Sequence, residues 1–102
     1  MPRATQIKVV GEVGGTGNAT VVTAGTRVPL SATSIPCNRV IVHAAGGLVC
    51  VGDSDVVYAA ATRKGVLLLK TQREVFYVKD VSDLYIDARD DGTLVSFYYE
   101  VI

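Results

Sequence analysis

Nearly everywhere along this chain apolar and polar residues alternate with a period close to two, and valine, isoleucine and threonine crowd the apolar places. Successive side chains of a strand point to opposite faces, so such a pattern builds half-buried strands and leaves little room for amphipathic helices. Strands are expected over Gln6–Val10, Thr20–Thr23, Thr26–Leu30, Cys37–Ala45, Leu48–Gly52, Val66–Leu69, Val75–Val78, Leu84–Ala88 and Leu94–Val101. Pro29 and Pro36 confine their neighbourhoods to edges or connections, because proline donates nothing to a ladder. Gly11, Gly14, Gly15 and Gly17 read as a flexible loop. The stretch 54–65 carries mixed signals. Ser54, three alanines and Gly65 suit a helix, whereas Val56, Val57 and Tyr58 favour a strand followed by a turn, the preferred reading. About eight short strands with turn signals between them predict a single antiparallel β-sandwich or jelly-roll-like domain.

At 102 residues the chain is long enough for one domain. We divide it into an N-terminal strand and Gly-rich arm, 1–20, and a β-sandwich, 21–102. Ten basic residues balance ten acidic ones, which removes the electrostatic footprint of non-specific nucleic-acid or anionic-membrane binding. The densest apolar run, Val66–Leu69, falls far short of the ~18–20 residues of a membrane-spanning helix. Met1 to Gln6 lead into no hydrophobic stretch, so synthesis in the cytosol is expected.

Two turns predict pairings residue by residue. Asp91-Gly92 is a strong two-residue hairpin signal, in which both residues take positive φ. It sets Leu84, Ile86 and Ala88 opposite Tyr99, Phe97 and Val95 on the core face. Tyr85 then meets Tyr98, and Arg89 meets Leu94, on the other face. Gly46-Gly47 similarly predicts Val42 against Val51, Ala44 against Val49 and His43 against Cys50.

Chemistry has little to work with: one histidine, no tryptophan and two cysteines. Cys37 and Cys50 fall too far apart in the expected register to bridge, which predicts two free, mostly buried thiols. His43 and Cys50 supply two ligands where structural zinc wants four, and no CxxC or HxxxH completes a set. Residues 87–92 approach a calcium loop but place Arg89 at a ligand position and Tyr98 where the closing Glu belongs. Asp53-Ser54-Asp55 reads as a turn. The glycines spell no phosphate loop, and a Cys50–His43 dyad would lack an oxyanion hole. No enzymatic role, cofactor or metal is expected. What remains is surface: Tyr58, Tyr85 and Tyr98, with Arg89, are the candidate interface residues, since tyrosine and arginine are enriched where proteins meet.

The stretch Pro29–Cys37, then Arg39–Ala44, Val51–Val56, Arg63–Leu68, Val81–Asp87 and Gly92–Tyr99 together carry a resemblance. In that order they are similar to the patterns "LSATS-x-PC", "VGDS-x-V", "G-[IV]-x-L", "DLSDLYID" and "GVSFxY" of small virion structural proteins of tailed bacteriophages. The likeness runs from about residue 27 to 99, with Leu67 standing where family members usually carry proline. The resemblance implies a non-enzymatic component of the virus particle, made in the host cytoplasm. Its expected place is the head shell, as a decoration (cement) protein or the base of a head fibre; its partners are the major capsid protein or other virion proteins. A homo-oligomer (trimer, pentamer or hexamer) is expected, with neither nucleic acid nor membrane as partner. The alternatives are a tail or neck component and, from another class, a carbohydrate- or receptor-binding β-sandwich module.

Overall fold

The computed structural model describes residues 14–101. Within them the alternating segments form eight strands: β1 (Gly14–Val21), β2 (Val28–Pro29), β3 (Arg39–His43), β4 (Val49–Gly52), β5 (Val66–Leu68), β6 (Arg73–Phe76), β7 (Tyr85–Ala88) and β8 (Thr93–Glu100). They pair antiparallel in two four-stranded sheets, ordered β1-β8-β3-β6 and β2-β7-β4-β5. The inward-facing residues of both sheets make one core: Val21, Val40, Val42, Val95 and Phe97 from the first, Val49, Val51, Ile86 and Ala88 from the second. Leu30, Val81 and Leu84, outside the strands, belong to the same core. Cys37 and Cys50 are both free and buried, as expected. The expected strand Gln6–Val10 lies outside the described residues.

Neither glycine turn makes a hairpin. β7 pairs with β2 and β4, whereas β8 pairs with β1 and β3, so Asp91-Gly92 carries the chain from one sheet to the other. Of the two residues only Gly92 takes positive φ (76°), which rules out the two-residue hairpin turn. Gly46-Gly47 likewise crosses between β3 and β4 in opposite sheets. Gly46 donates to the Leu94 carbonyl at 2.8 Å, and a Cβ there would fall 2.6 Å from the Leu94 nitrogen, so only glycine fits this corner. The predicted core faces nonetheless hold, because Ile86, Ala88, Val95 and Phe97 are buried whether their strands lie side by side or face to face.

Residues 14–20, assigned to the arm, belong instead to the sheet: β1 pairs with β8 along its whole length. Two of its glycines, Gly15 and Gly17, lie beneath aromatic rings. A Cβ on Gly17 would come 2.5 Å from the Phe97 ring, and one on Gly15 2.9 Å from the Tyr99 hydroxyl. These two rings cover the bare inner side of the strand, the cross-strand arrangement by which aromatics compensate glycine. The expected strand Thr20–Thr23 therefore ends at Val21, and of Thr26–Leu30 only Val28–Pro29 pairs, at a sheet edge as proline requires. Segment 54–65 is no helix. It folds as an irregular strap, with one isolated bridge between Val57 and Lys64 and a turn in which Thr62 donates to Ala59.

Candidate functional site

The outer face of the first sheet is built by all four of its strands. Register places Thr16, Tyr98, Ile41 and Val75 in one row across its four strands, and Asn18, Ser96, His43 and Arg73 in the next. Thr16, Ile41, His43, Arg73, Ser96 and Tyr98 line a shallow recess. The His43 ring nitrogen Nδ1 lies 3.3 Å from the Ser96 hydroxyl. At one end Arg39 is ion-paired with Glu100 and bonded to the Tyr77 side chain, and these contacts, that to Glu100 foremost, raise the guanidinium pKa. Tyr77 itself is 77% exposed. The face thus presents a row with Tyr98, Ile41 and Val75 beside a polar row of Asn18, Ser96, His43 and Arg73.

The outer face of the second sheet is covered instead. Cys50 and Asp87 stand opposite each other on β4 and β7 and would face solvent in a bare sheet. The strap 53–65 and the loop after β1 close over them, leaving both buried. Asp87 holds both coverings: its carboxylate accepts from the Tyr58 and Gly25 backbone N–H groups, each at 2.9 Å, and from Ala88 N–H at 2.9 Å. Val56 packs on Gly52 and Gly65 under the strap. Arg63 lies 4.7 Å above the Tyr58 ring and donates to the Tyr58 carbonyl at 2.9 Å. Burial pushes the Cys50 thiol above its ordinary pKa, against a smaller opposing effect of Arg63.

The four candidate residues therefore do not share a surface. Tyr85 and Tyr98, expected as a cross-strand pair, lie on opposite outer faces, Tyr85 beside Pro29 and Gly52 and Tyr98 between Thr16 and Ile41. Tyr58 and Arg89 do line one recess, on the second sheet. Tyr58 is engaged in holding the strap, and Arg89 pairs with its neighbour Asp90. His43 opposes Ser96 and Arg73, and Cys50 opposes Asp87 and Leu67, so the two never meet and no dyad forms. Asp53 accepts from the Asp55 N–H at 2.9 Å, the turn its sequence suggested. Among the described residues no group of three or more His, Cys, Asp or Glu could hold a metal ion. No described helix is long and apolar enough to cross a membrane.

Reading the sequence alone missed Ile41, His43, Arg73 and Val75 as neighbours of Tyr98, since their contiguity depends on which strands pair. It missed Asp80 as well. That carboxylate accepts from the Ser34 hydroxyl, Ile35 N–H (2.9 Å), Ser82 N–H (2.9 Å) and Ser82 hydroxyl (2.7 Å). The Asp-x-Ser spacing was a usable signal, because an Asp side chain readily caps the backbone two residues on. No family model, no curated protein and no solved structure matches the chain.

Proposed function

We propose that this chain is a structural protein of a tailed-phage virion, seated on the head shell as a decoration protein or head-fibre base. The observation that carries the reading is the strand order, β1-β8-β3-β6 over β2-β7-β4-β5. We read it as the doubly wound Greek key of a jelly roll, an architecture that recurs in viral capsid and lectin domains. That is an analogy of fold, and it gains weight from the sequence resemblance and from the outer face around Tyr98. A contact surface of partly apolar residues flanked by Arg39, Glu100 and Arg73 suits docking on a protein shell, where symmetry multiplies weak contacts.

The test is co-sedimentation of the purified protein with head shells of its own phage, assembled without it. Saturable binding that Tyr98→Asp and Ile41→Asp abolish, at unchanged melting midpoint, supports the reading. Absence of binding to shells, with specific retention on a glycan array that Tyr98→Ala removes, replaces it with the carbohydrate-binding alternative.

A further inference from the structure

Among the described residues the sheets end in four edges, and three of them are protected. β2 has two residues, one of them Pro29; β5 has three; β6 has four, including Arg73 and Glu74. Short length, proline and charge are the usual devices that keep an edge from pairing with another chain. β1 has none of them. It runs eight residues, Gly14 to Val21, without charge or proline, at the outer limit of its sheet.

The hydrogen-bonding groups of β1 that no described strand takes up can be assigned. Leu94 and Glu100 of β8 turn their carbonyls towards the β3 side, to Gly46 and Asn38. The alternate residues Val95, Phe97 and Tyr99 therefore bond towards β1, to their partners Ala19, Gly17 and Gly15. Thr16, Asn18 and Thr20 consequently aim their N–H and C=O groups at the open edge. On the inner side this edge offers Gly15, Gly17 and Ala19, overlaid by the Tyr99 and Phe97 rings.

We propose that the β1 edge is a self-association surface: two copies of the chain join β1 to β1, antiparallel across a two-fold axis, merging two four-stranded sheets into one. The occupant follows from the strand itself. Antiparallel pairing centred on the three edge-facing residues sets Asn18 opposite its own symmetry mate and Thr16 opposite the partner's Thr20, so every pair across the join is drawn from β1 itself, which carries no charge. The outer face would pair threonine and asparagine across the join. On the inner face the rings that overhang each β1 meet glycine and alanine, which have no bulky side chain to collide with them. The contact is isologous and closes at two copies, rather than making the trimeric, pentameric or hexameric ring that the resemblance implies. It does not depend on where the protein works.

Sedimentation equilibrium of the full chain over a wide concentration range, with amide hydrogen exchange read at Thr16, Asn18 and Thr20, tests it. A monomer–dimer equilibrium is expected, with these three amides slow to exchange only in the dimer. Asn18→Pro removes one edge donor from each copy without touching the ladder to β8, and should raise the dimer dissociation constant roughly ten- to hundredfold. Asn18→Lys keeps the N–H but sets two like charges near the axis, and should weaken the dimer at unchanged melting midpoint of the dilute monomer. A monomer at every concentration overturns the proposal. So does protection of the three amides in the monomer, which would mean the chain covers its own edge, or a dimer indifferent to both variants.

Discussion

Asp80 accepts four hydrogen bonds on its carboxylate, from Ser34, Ile35 and twice from Ser82. Its carboxylate joins the 31–36 loop to the 3₁₀ turn Val81–Asp83, and the bonds from Ser34, Ile35 and Ser82 hold its pKa well below the usual carboxylate range. A group with a depressed folded pKa adds stability that is complete above its unfolded value of about 3.9, and loses it as pH falls through the folded value. Wild-type stability should therefore exceed that of Asp80→Asn by a constant margin above about pH 5, and the margin should shrink towards strong acid; urea titrations at stepped pH measure it. Thr71 is the one described non-glycine residue with positive φ, 72°, in the crossing from β5 to β6. A β-branched residue there is strained, so Thr71→Asn should raise unfolding free energy by about 0.5–1 kcal/mol in the same assay. Sequence reading could find the Asp80 cap from its spacing to Ser82. It had no access to Thr71, whose backbone is set by the Thr71–Ala44 and Ala44–Gln72 hydrogen bonds between distant segments.

At the scale of elements, the strap 53–65 shows how a buried carboxylate organises a surface. Asp87 anchors the Tyr58 and Gly25 backbone to β7. Asp87→Ala would orphan three backbone donors and should destabilise the protein by roughly 2–4 kcal/mol. Released from its anchor, the strap should expose Cys50 to alkylation while Cys37, buried on the core side, stays protected; mass spectrometry of the labelled native protein distinguishes them. The strands β3 to β8 were legible from their apolar, β-branched runs, with burial alternating clearly in β3 and along the first half of β8, although β6 covers Arg73–Phe76 where Val75–Val78 was expected. β1 was not, because three of its eight residues are glycine and its apolar covering is supplied by Phe97 and Tyr99 of another strand.

For the whole molecule the winding order has a kinetic consequence. β1 pairs with β8 and β2 with β7, so the chain must bring its ends together before either sheet closes. Loop closure of that length precedes the contacts that reward it, and folds dominated by such pairings refold in roughly milliseconds to seconds. Stopped-flow refolding from urea should show a phase in that range and none in microseconds. The same winding scattered the candidate site. Tyr85 and Tyr98 stand on opposite faces because Asp91-Gly92 turns between sheets, and the face around Tyr98 draws on β1, β3, β6 and β8 together.

The sequence by itself determined the class of fold, most of the strands and the inward face of those it marked, all consequences of the two-residue repeat; Cys50, on an outer face, is buried only by the strap that tertiary contacts lay over it. Only the tertiary structure decided which strands are neighbours. An inward-facing valine is buried equally well beside a hairpin partner or across from it in the opposite sheet, so burial leaves pairing open. The choice rests on contacts distant in sequence: the Leu94 carbonyl receiving Gly46, the Val21 carbonyl receiving Gly92, and aromatic rings lying over the glycines of β1.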